Sequence, residues 1–309
     1  MDNSCAIIAG PASLELAEKV ASKVGTNVFQ AQVRIFSDGE SKIQLQDFGP
    51  DKRTCVIIQS TYPPVDRHLV QLLMIARGCQ QYGAKEIVAV VPYLAYARQD
   101  RAFLGGEVVS IDLMSRLMAS VGITRLITVD IHSILALSFF PGSENLTAIP
   151  RLANFVKSLN LNRPIVVSPD AGGVDRARQF SQLLHCEMIG LRKTRDRQSG
   201  EISIEDPGEG STIGRDVLLV DDMISSGSSI AKASEMLLKN GARRTFAVCT
   251  HALLVENAED KIRNSGVTDI IASNSIPGKY SKVDLSAEVA ALLSSRPELN
   301  ASKTAHNGT

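Results

Sequence analysis

Short runs of β-branched and aliphatic residues recur along the chain, apolar almost without interruption. They are CAIIAG (5–10), CVIIQST (55–61), EIVAVVPY (86–93), RLITVDIH (125–132), PIVVSPD (164–170), VLLVDD (217–222), TFAVCTH (245–251) and DIIASNSI (269–276). A strand with no polar alternation has no face to give to water. It belongs in a parallel sheet covered by helices on both sides. The segments between have the helix period. In SSIAKASEMLLKNG (228–241), Ile230, Ala233, Leu237 and Leu238 share a face, and Gly241 stands at the C-terminal cap. Leu69, Leu72, Leu73 and Ala76 repeat the pattern ahead of Gly83. The class is α/β.

Length and charge narrow what such a chain does. Its 309 residues suffice for two domains of ordinary size, each with a core of its own. Lysine plus arginine (33) equals aspartate plus glutamate (33), so no overall field favours nucleic acid or an anionic membrane. Any anion site is therefore local. The opening MDNSCAIIAG has an acid and no cationic flank, and no apolar run approaches a membrane span. Cys5, Cys55, Cys79, Cys186 and Cys249 lie far apart with no CxxC pair. That predicts buried free thiols in a reducing compartment, the cytoplasm by default.

The chain also repeats itself. YGAKEIVAVVPY (82–93) is similar to NGARRTFAVCTH (240–251), and VGITRLITVD (121–130) to SGVTDIIASN (265–274). VIIQST (56–61) precedes the first helix of one set as VLLVDD (217–222) precedes that of the other. Two similar halves are expected, joined near 141–151: domains at 1–148 and 149–293, then a polar, mobile tail at 294–309. Where the second half has Asp221-Asp222, the first has Ser60-Thr61.

In an open parallel sheet, ligands bind beyond the carboxyl ends of the strands, where residues 221–229 stand. Ser225, Ser226, Ser228 and Ser229 surround Gly227, offering hydroxyls and N–H groups at a helix N-terminus, which suits a phosphate. The carboxylates of Asp221 and Asp222 repel phosphate. They suit sugar hydroxyls, or a divalent metal that bridges to the ligand. Taken alone, an acid pair before serines is also what a solvated strand end and a capped helix look like. The strand-to-helix setting favours a sugar phosphate.

These residues resemble the phosphoribosyl-pyrophosphate motif of the type I phosphoribosyltransferase fold. Four further stretches resemble one family within it, the ribose-phosphate pyrophosphokinases: RIFSDGE (34–40), VVPYLAYARQDR (90–101), TVDIH (128–132) and VVSPDAGGVDRAR (166–178). The resemblance implies two phosphoribosyltransferase-like domains, each a mainly parallel sheet flanked by helices. It implies transfer of the diphosphoryl group of ATP to the 1-hydroxyl of ribose 5-phosphate, with Mg²⁺, releasing AMP.

The resemblance also assigns residues. Phe36, Asp38, Gly39 and Glu40, with Arg98 and Gln99, are implied to contact ATP, a fit to a purine face, its edge and a triphosphate. SDGE by itself is an ordinary turn. Asp130 and His132, two apart at a strand end and expected on one side of its pleat, are implied to help hold Mg²⁺–ATP. Asp170 is the implied second metal contact, in a loop whose glycines let the backbone wrap a pyrophosphate. Arg176 and Arg178 receive no role. Residues 221, 222 and 225–229 are implied to bind ribose 5-phosphate. Arg192, Lys193, Arg195 and Arg197 crowd one expected loop, a candidate lid, in which Lys193 and Arg195 match the family's catalytic pair. Arg195 is also assigned to the sugar phosphate.

Two departures stand out. Many members of the family carry Asp, Thr, Gly, Gly, Thr at 225–229, where this chain has Ser, Ser, Gly, Ser, Ser. Ser225 removes a possible carboxylate contact to the sugar, and Ser228 removes a second glycine's freedom. AFLGGEVVSI (102–111) is nearly uncharged where the commonest branch is rich in arginine, so the chain is similar to a shorter, archaeal-type branch. A dimer-based homo-oligomer is implied. A regulatory, non-catalytic relative and a phosphoribosyltransferase are the alternatives.

Overall fold

The computed structural model describes residues 5–46, 48–49, 53–195, 202–205 and 212–296, with 192–195 and 202–205 described by backbone alone. The chain divides into two compact units. The first takes the described parts of Met1–Leu146, Ser275–Pro277 and Asp284–Thr309; the second takes those of Thr147–Asn274 and Gly278–Val283.

The first unit contains β1 (Cys5–Ala9), α1 (Leu14–Val24), β2 (Val28–Ile35), β3 (Ser41–Leu45), β4 (Thr54–Ile58), α2 (Val65–Gln81), β5 (Glu86–Val91), α3 (Ser110–Ser120), β6 (Ile123–Val129) and β7 (Glu144–Leu146). Its sheet has the order β3-β2-β1-β4-β5-β6-β7, parallel throughout except for the antiparallel β2–β3 edge. Both faces are buried, as the uninterrupted apolar runs require. Ala6, Ile8, Cys55 and Ile57 pack with Leu69, Leu72, Ile75 and Ala76 of α2. The opposite-facing Ile7, Ala9, Val56 and Ile58 pack with Leu16, Ala17 and Val20 of α1.

The second unit contains α4 (Ile149–Lys157), β8 (Ile165–Ser168), α5 (Val174–Leu184), β9 (Glu187–Gly190), β10 (Arg192–Arg195), β11 (Ile202–Glu205), β12 (Asp216–Ile224), α6 (Ser228–Lys239), β13 (Arg244–Ala252), α7 (Ala258–Asn264), β14 (Val267–Ser273) and β15 (Ser281–Val283). Its sheet order, β15-β14-β13-β12-β8-β9, is parallel throughout. Written from the other edge it matches β2-β1-β4-β5-β6-β7 strand for strand. The similar stretches seen in the sequence fall on equivalent strands: β4 with β12, β5 with β13, and β6 with β14. The first unit adds β3, and the second adds the separate antiparallel hairpin β10–β11.

Three expectations need amending. The second half was expected to run to 293, yet α8 (Ser286–Ser294) belongs to the first unit, where Val289, Ala290 and Leu293 cover the sheet face beside α1. Of the tail, Ser294 ends α8 and Arg296 pairs with Glu144; residues 297–309 lie outside the described residues. The strands that sequence reading missed are edges or short pieces, except β2. It lies next to the edge strand β3 and exposes Gln30, Gln32 and Arg34, which break the apolar run that marks the other strands. All five cysteines are free, and all but Cys186 are buried. Among the described residues, no helix is long and apolar enough to cross a membrane.

Val289 is 0% exposed in the first unit's core. Val289→Asp would strand a carboxylate there and should cost about 3 kcal/mol or more. Amide hydrogen exchange should then speed up in α1 and β1 and stay unchanged in α6 and β13. Equal acceleration in both units would contradict the assignment of α8 to the first.

Candidate active site

β12 runs two residues beyond the acid pair, to Ile224, so Asp221 and Asp222 sit within the strand and the connecting loop shrinks to Ser225–Gly227. Parallel pairing to β13, with Asp221 opposite Cys249 and Met223 opposite His251, carries the strand that far. Asp222 is buried, and Asp221 keeps its side chain 17% exposed. Arg176, in the first turn of α5, reaches both: its Nη1 lies 3.4 Å from Asp221 Oδ1 and 3.7 Å from Asp222 Oδ1. Asp221 Oδ1 also accepts from Asp222 N at 2.8 Å. Burial, the Asp222 charge and the charge of Asp170 push the Asp221 carboxyl well above the usual carboxylate range, against the pull of Arg176. The acid pair is thus tied to an internal cation and still carries surplus negative charge.

Beyond the strand, Gly227 takes φ +71° at the N-cap of α6. A Cβ there would lie 2.8 Å from Ile262 Cγ1, so both conformation and space demand glycine. Among the described residues, Ser228 has no positive φ and opens the helix, so a second glycine is unnecessary. No side chain caps α6. The N–H groups of a helix's first turn have no carbonyl one turn earlier within the helix, an arrangement that suits an anion. Ser226 Oγ contacts Ser228 Oγ at 3.4 Å, and Ser229 follows in the first turn.

Asp170 caps the short turn Ala171–Gly173, its Oδ1 accepting from Gly172 N at 3.0 Å and Gly173 N at 3.1 Å. Those two N–H groups, expected to wrap a pyrophosphate, are engaged by this carboxylate. Arg178 pairs with Asp175 on the exposed side of α5, as a helix-face ion pair. The expected cationic loop forms a hairpin: β10 pairs with β11, with Lys193 opposite Ile204 and Arg195 opposite Ile202. The side chains of Lys193 and Arg195, like Arg197 and the tip 196–201, lie outside the described residues.

In the first unit, RIFSDGE forms the β2–β3 hairpin turn. Phe36 N donates to Glu40 O, Gly39 sits at φ +94°, and Asp38 Oδ1 accepts from Glu40 N at 3.1 Å. Phe36 is 40% exposed, with the Arg34 guanidinium 5.3 Å from its ring centre. Arg98 is exposed on a turn, and Gln99 Nε2 donates to Glu107 Oε2 at 3.1 Å. β6 ends at Val129, and Asp130 takes φ +39°, so the pleat that would put Asp130 and His132 on one side has already ended. Asp130 is buried; His132 is exposed.

Sequence reading missed two residues. Arg176 carried a signal, an arginine in the first turn of the helix that follows the strand beside the acidic one. Asp100 carried none: its carboxylate binds Arg101 at 3.0 and 3.2 Å and also Ser133, the neighbour of His132. Arg101 first, then Ser133, bring its pKa down to about 2. Asp100 thereby ties the Arg98–Gln99 turn to the loop of His132.

A family model described as the N-terminal domain of ribose phosphate pyrophosphokinase matches residues 5–122, and a phosphoribosyl transferase domain model matches 143–280. Ribose-phosphate pyrophosphokinase of Sulfolobus acidocaldarius is 35% identical over 282 residues, covering 90% of this chain and 96% of the relative. That of Sulfurisphaera tokodaii is 37% identical over 279 residues, covering 90% and 95%. That of Vibrio parahaemolyticus is 35% identical over 277 residues, covering 87% and 86%. The crystal structure of phosphoribosylpyrophosphate synthetase from Mycobacterium smegmatis matches with TM-score 0.82 at 27% identity, over 94% of this chain and 97% of that one. With a duplicated parallel fold, an acid pair at the end of β12 and an uncapped helix N-terminus just beyond it, the chain belongs to the ribose-phosphate pyrophosphokinase family.

Proposed function

We propose that this chain transfers the diphosphoryl group of ATP to the 1-hydroxyl of ribose 5-phosphate, giving 5-phosphoribosyl 1-pyrophosphate and AMP. The observation that carries the reading is the junction of β12 and α6. Two carboxylates, Asp222 buried and Asp221 with its side chain 17% exposed, lie just ahead of a loop whose glycine turns the chain into an uncapped helix. Asp221 and Asp222 accept hydrogen bonds from ribose hydroxyls, and residues 225–229 hold the 5-phosphoryl group. Phe36, Asp38, Gly39, Glu40, Arg98 and Gln99 bind ATP.

In the reaction the 1-hydroxyl of the sugar gives up its proton to solvent as O1 attacks the β-phosphorus of ATP. The bond from that phosphorus to the oxygen bridging it to the α-phosphate breaks, and AMP leaves with the bond's electrons. Negative charge spreads over the transferring oxygens and the leaving oxygen. Positioning and neutralisation are what catalysis needs here. Lys193 and Arg195 supply the neutralising cations. The surplus of carboxylate charge at Asp221, Asp222 and Asp170 fits a divalent cation. Among the described residues, no group of three or more His, Cys, Asp or Glu is arranged to hold a metal. Mg²⁺ commonly arrives on substrate phosphates with one or two protein ligands, so the donors suit it. Asp130 and His132 would hold the Mg²⁺ that arrives on ATP, Asp170 would be a second metal contact, and the cation would screen the phosphoryl oxygens. A dimer-based homo-oligomer working in the cytoplasm completes the reading.

Purified protein given ATP, Mg²⁺ and ribose 5-phosphate should release AMP. No AMP would favour a regulatory relative, and consumption of 5-phosphoribosyl 1-pyrophosphate with a free base would favour a phosphoribosyltransferase. Lys193→Ala should lower kcat by about two orders of magnitude or more, since the cation acts in the transition state. Turnover near the parent rate would remove Lys193 from catalysis.

Asp221→Asn has a stability signature as well. Below about pH 4 the carboxyl is protonated in folded and unfolded chains alike. As pH rises, the unfolded chain ionises first, so stability falls until the raised folded value is passed, and is level above it. The variant should therefore lose less Tm between pH 4 and neutrality than the parent, while KM for ribose 5-phosphate rises. The same pH dependence in both proteins would contradict the raised Asp221 pKa.

A further inference from the structure

We propose that Lys261 is the cation of the sugar-phosphate loop, its ammonium taking the 5-phosphoryl group of the pentose. This rests on the reading of residues 225–229 as the phosphate site. Lys261 Nζ donates to Ser226 O at 3.1 Å and to Ser228 Oγ at 3.1 Å, across a sequence separation of 35 and 33 residues. It comes from α7, an element outside the strand–loop–helix that forms the loop.

Two contacts fix that approach. At Gly227 the place of a Cβ is filled by Ile262, with Ala258 O 3.1 Å away, so α7 backs directly onto the loop. Ile262, next to Lys261, is fully buried. The segment leading into α7 is also bonded to the loop, with Leu254 N donating to Ile224 O at 3.0 Å and Val255 N to Ser225 O at 3.2 Å. Lys261 is half-buried and arrives by the packing of its own helix.

The electrostatics of the loop call for such a group. Its own contributions are hydroxyls, N–H groups and the positive end of α6, while Asp221 and Asp222 stand a few residues upstream. A phosphate dianion meets repulsion from those acids, and Arg176 is engaged with them. Lys261 is engaged with the loop itself. An ammonium has three donors, and the contacts to Ser226 and Ser228 use two. A phosphoryl oxygen can take the third, or replace the Ser228 hydroxyl, with α7 unmoved. No feature of residues 257–264 alone announces this role. It follows from where Gly227 lets the helix sit.

The test uses the full chain, with Lys261→Met and Lys261→Arg. Ribose 5-phosphate is varied at saturating Mg²⁺–ATP, and its binding is measured by calorimetry. Lys261→Met should raise both KM and Kd for ribose 5-phosphate by at least about tenfold, the loss expected for a charge-assisted hydrogen bond. Its kcat and its KM for ATP should stay within about threefold of the parent. Lys261→Arg should recover most of the affinity. A misfolded fraction lowers kcat and spares KM, the reverse of this split. An active parent and a Lys261→Met variant with unchanged KM for ribose 5-phosphate would overturn the role of the lysine alone. So would a Lys261→Arg variant as weak as Lys261→Met, because packing and not charge would then matter. A parent that binds no ribose 5-phosphate sinks the reading of the loop, and the lysine with it.

Discussion

Each unit is built on a parallel sheet buried on both faces, and that burial decides where chemistry can happen. Ile8 and Ile57 face one helix layer while Ile7, Val56 and Ile58 face the other, so neither face of the sheet is open to a polar ligand. The carboxyl ends of the strands remain. Asp130 follows β6, Asp170 follows β8, and Ser225 follows β12. The burial also explains α8. The first sheet's second face needs more cover than α1 provides, and Val289, Ala290 and Leu293 supply it from the far end of the chain.

Strand β12 begins with Asp216 and carries Asp221 and Asp222 towards its other end, and the two stretches show opposite electrostatics. Asp216, 0% exposed, accepts from Arg244 Nη2 at 2.5 Å, Arg243 Nη1 at 3.2 Å and Asn162 N at 2.7 Å. Burial works to raise its pKa, yet Arg244, Asn162 N–H and Arg243 together hold it below the usual range. Its charge is satisfied, as a structural ion group must be. Asp221, five residues on, meets burial plus two other carboxylates against a single guanidinium, and its pKa moves up. Such an imbalance costs folding stability and lowers the cost of binding hydroxyls or a cation there. That contrast on one strand separates an acid whose charge the fold stabilises from one whose charge the fold opposes.

How much of this is legible in the sequence depends on the range of the interaction. The buried strands could be read because each declares its burial locally, and the repeat could be read because equivalent strands keep equivalent residues. Gly227 and the acid pair could be read because strand, loop and helix are consecutive. The Asp100–Ser133 tie and the docking of α8 join residues far apart, and nothing near them in the chain reports the partner; the grip of Arg176 on Asp221 and Asp222 is also long-range, and only its place in the first turn of α5 hints at it. The pleat argument for Asp130 and His132 failed for a local reason. A left-handed residue ended the strand one position early, and aspartate tolerates that conformation without the glycine that would have flagged it.

The duplicated architecture offers a control for the acid pair within the same chain. In the first unit, β4 occupies the place of β12, and Ser60-Thr61 follow just beyond its end at Ile58, whereas Asp221-Asp222 still lie within β12. Ser60 and Thr61 are both 0% exposed. Ser60 Oγ accepts from Tyr93 N at 3.1 Å. Thr61 Oγ1 accepts from Ala95 N at 2.8 Å and donates to Tyr93 O at 3.0 Å. These hydroxyls close the strand end onto the loop after β5, leaving a neutral, satisfied junction with nothing to offer a ligand. In the second unit the corresponding strand carries carboxylates, and Asp221 Oδ1 accepts from Asp222 N while Arg176 Nη1 lies 3.4 Å from it. One strand end is thus closed by hydroxyls onto its own unit, while the other carries carboxylates that a guanidinium of the next helix reaches.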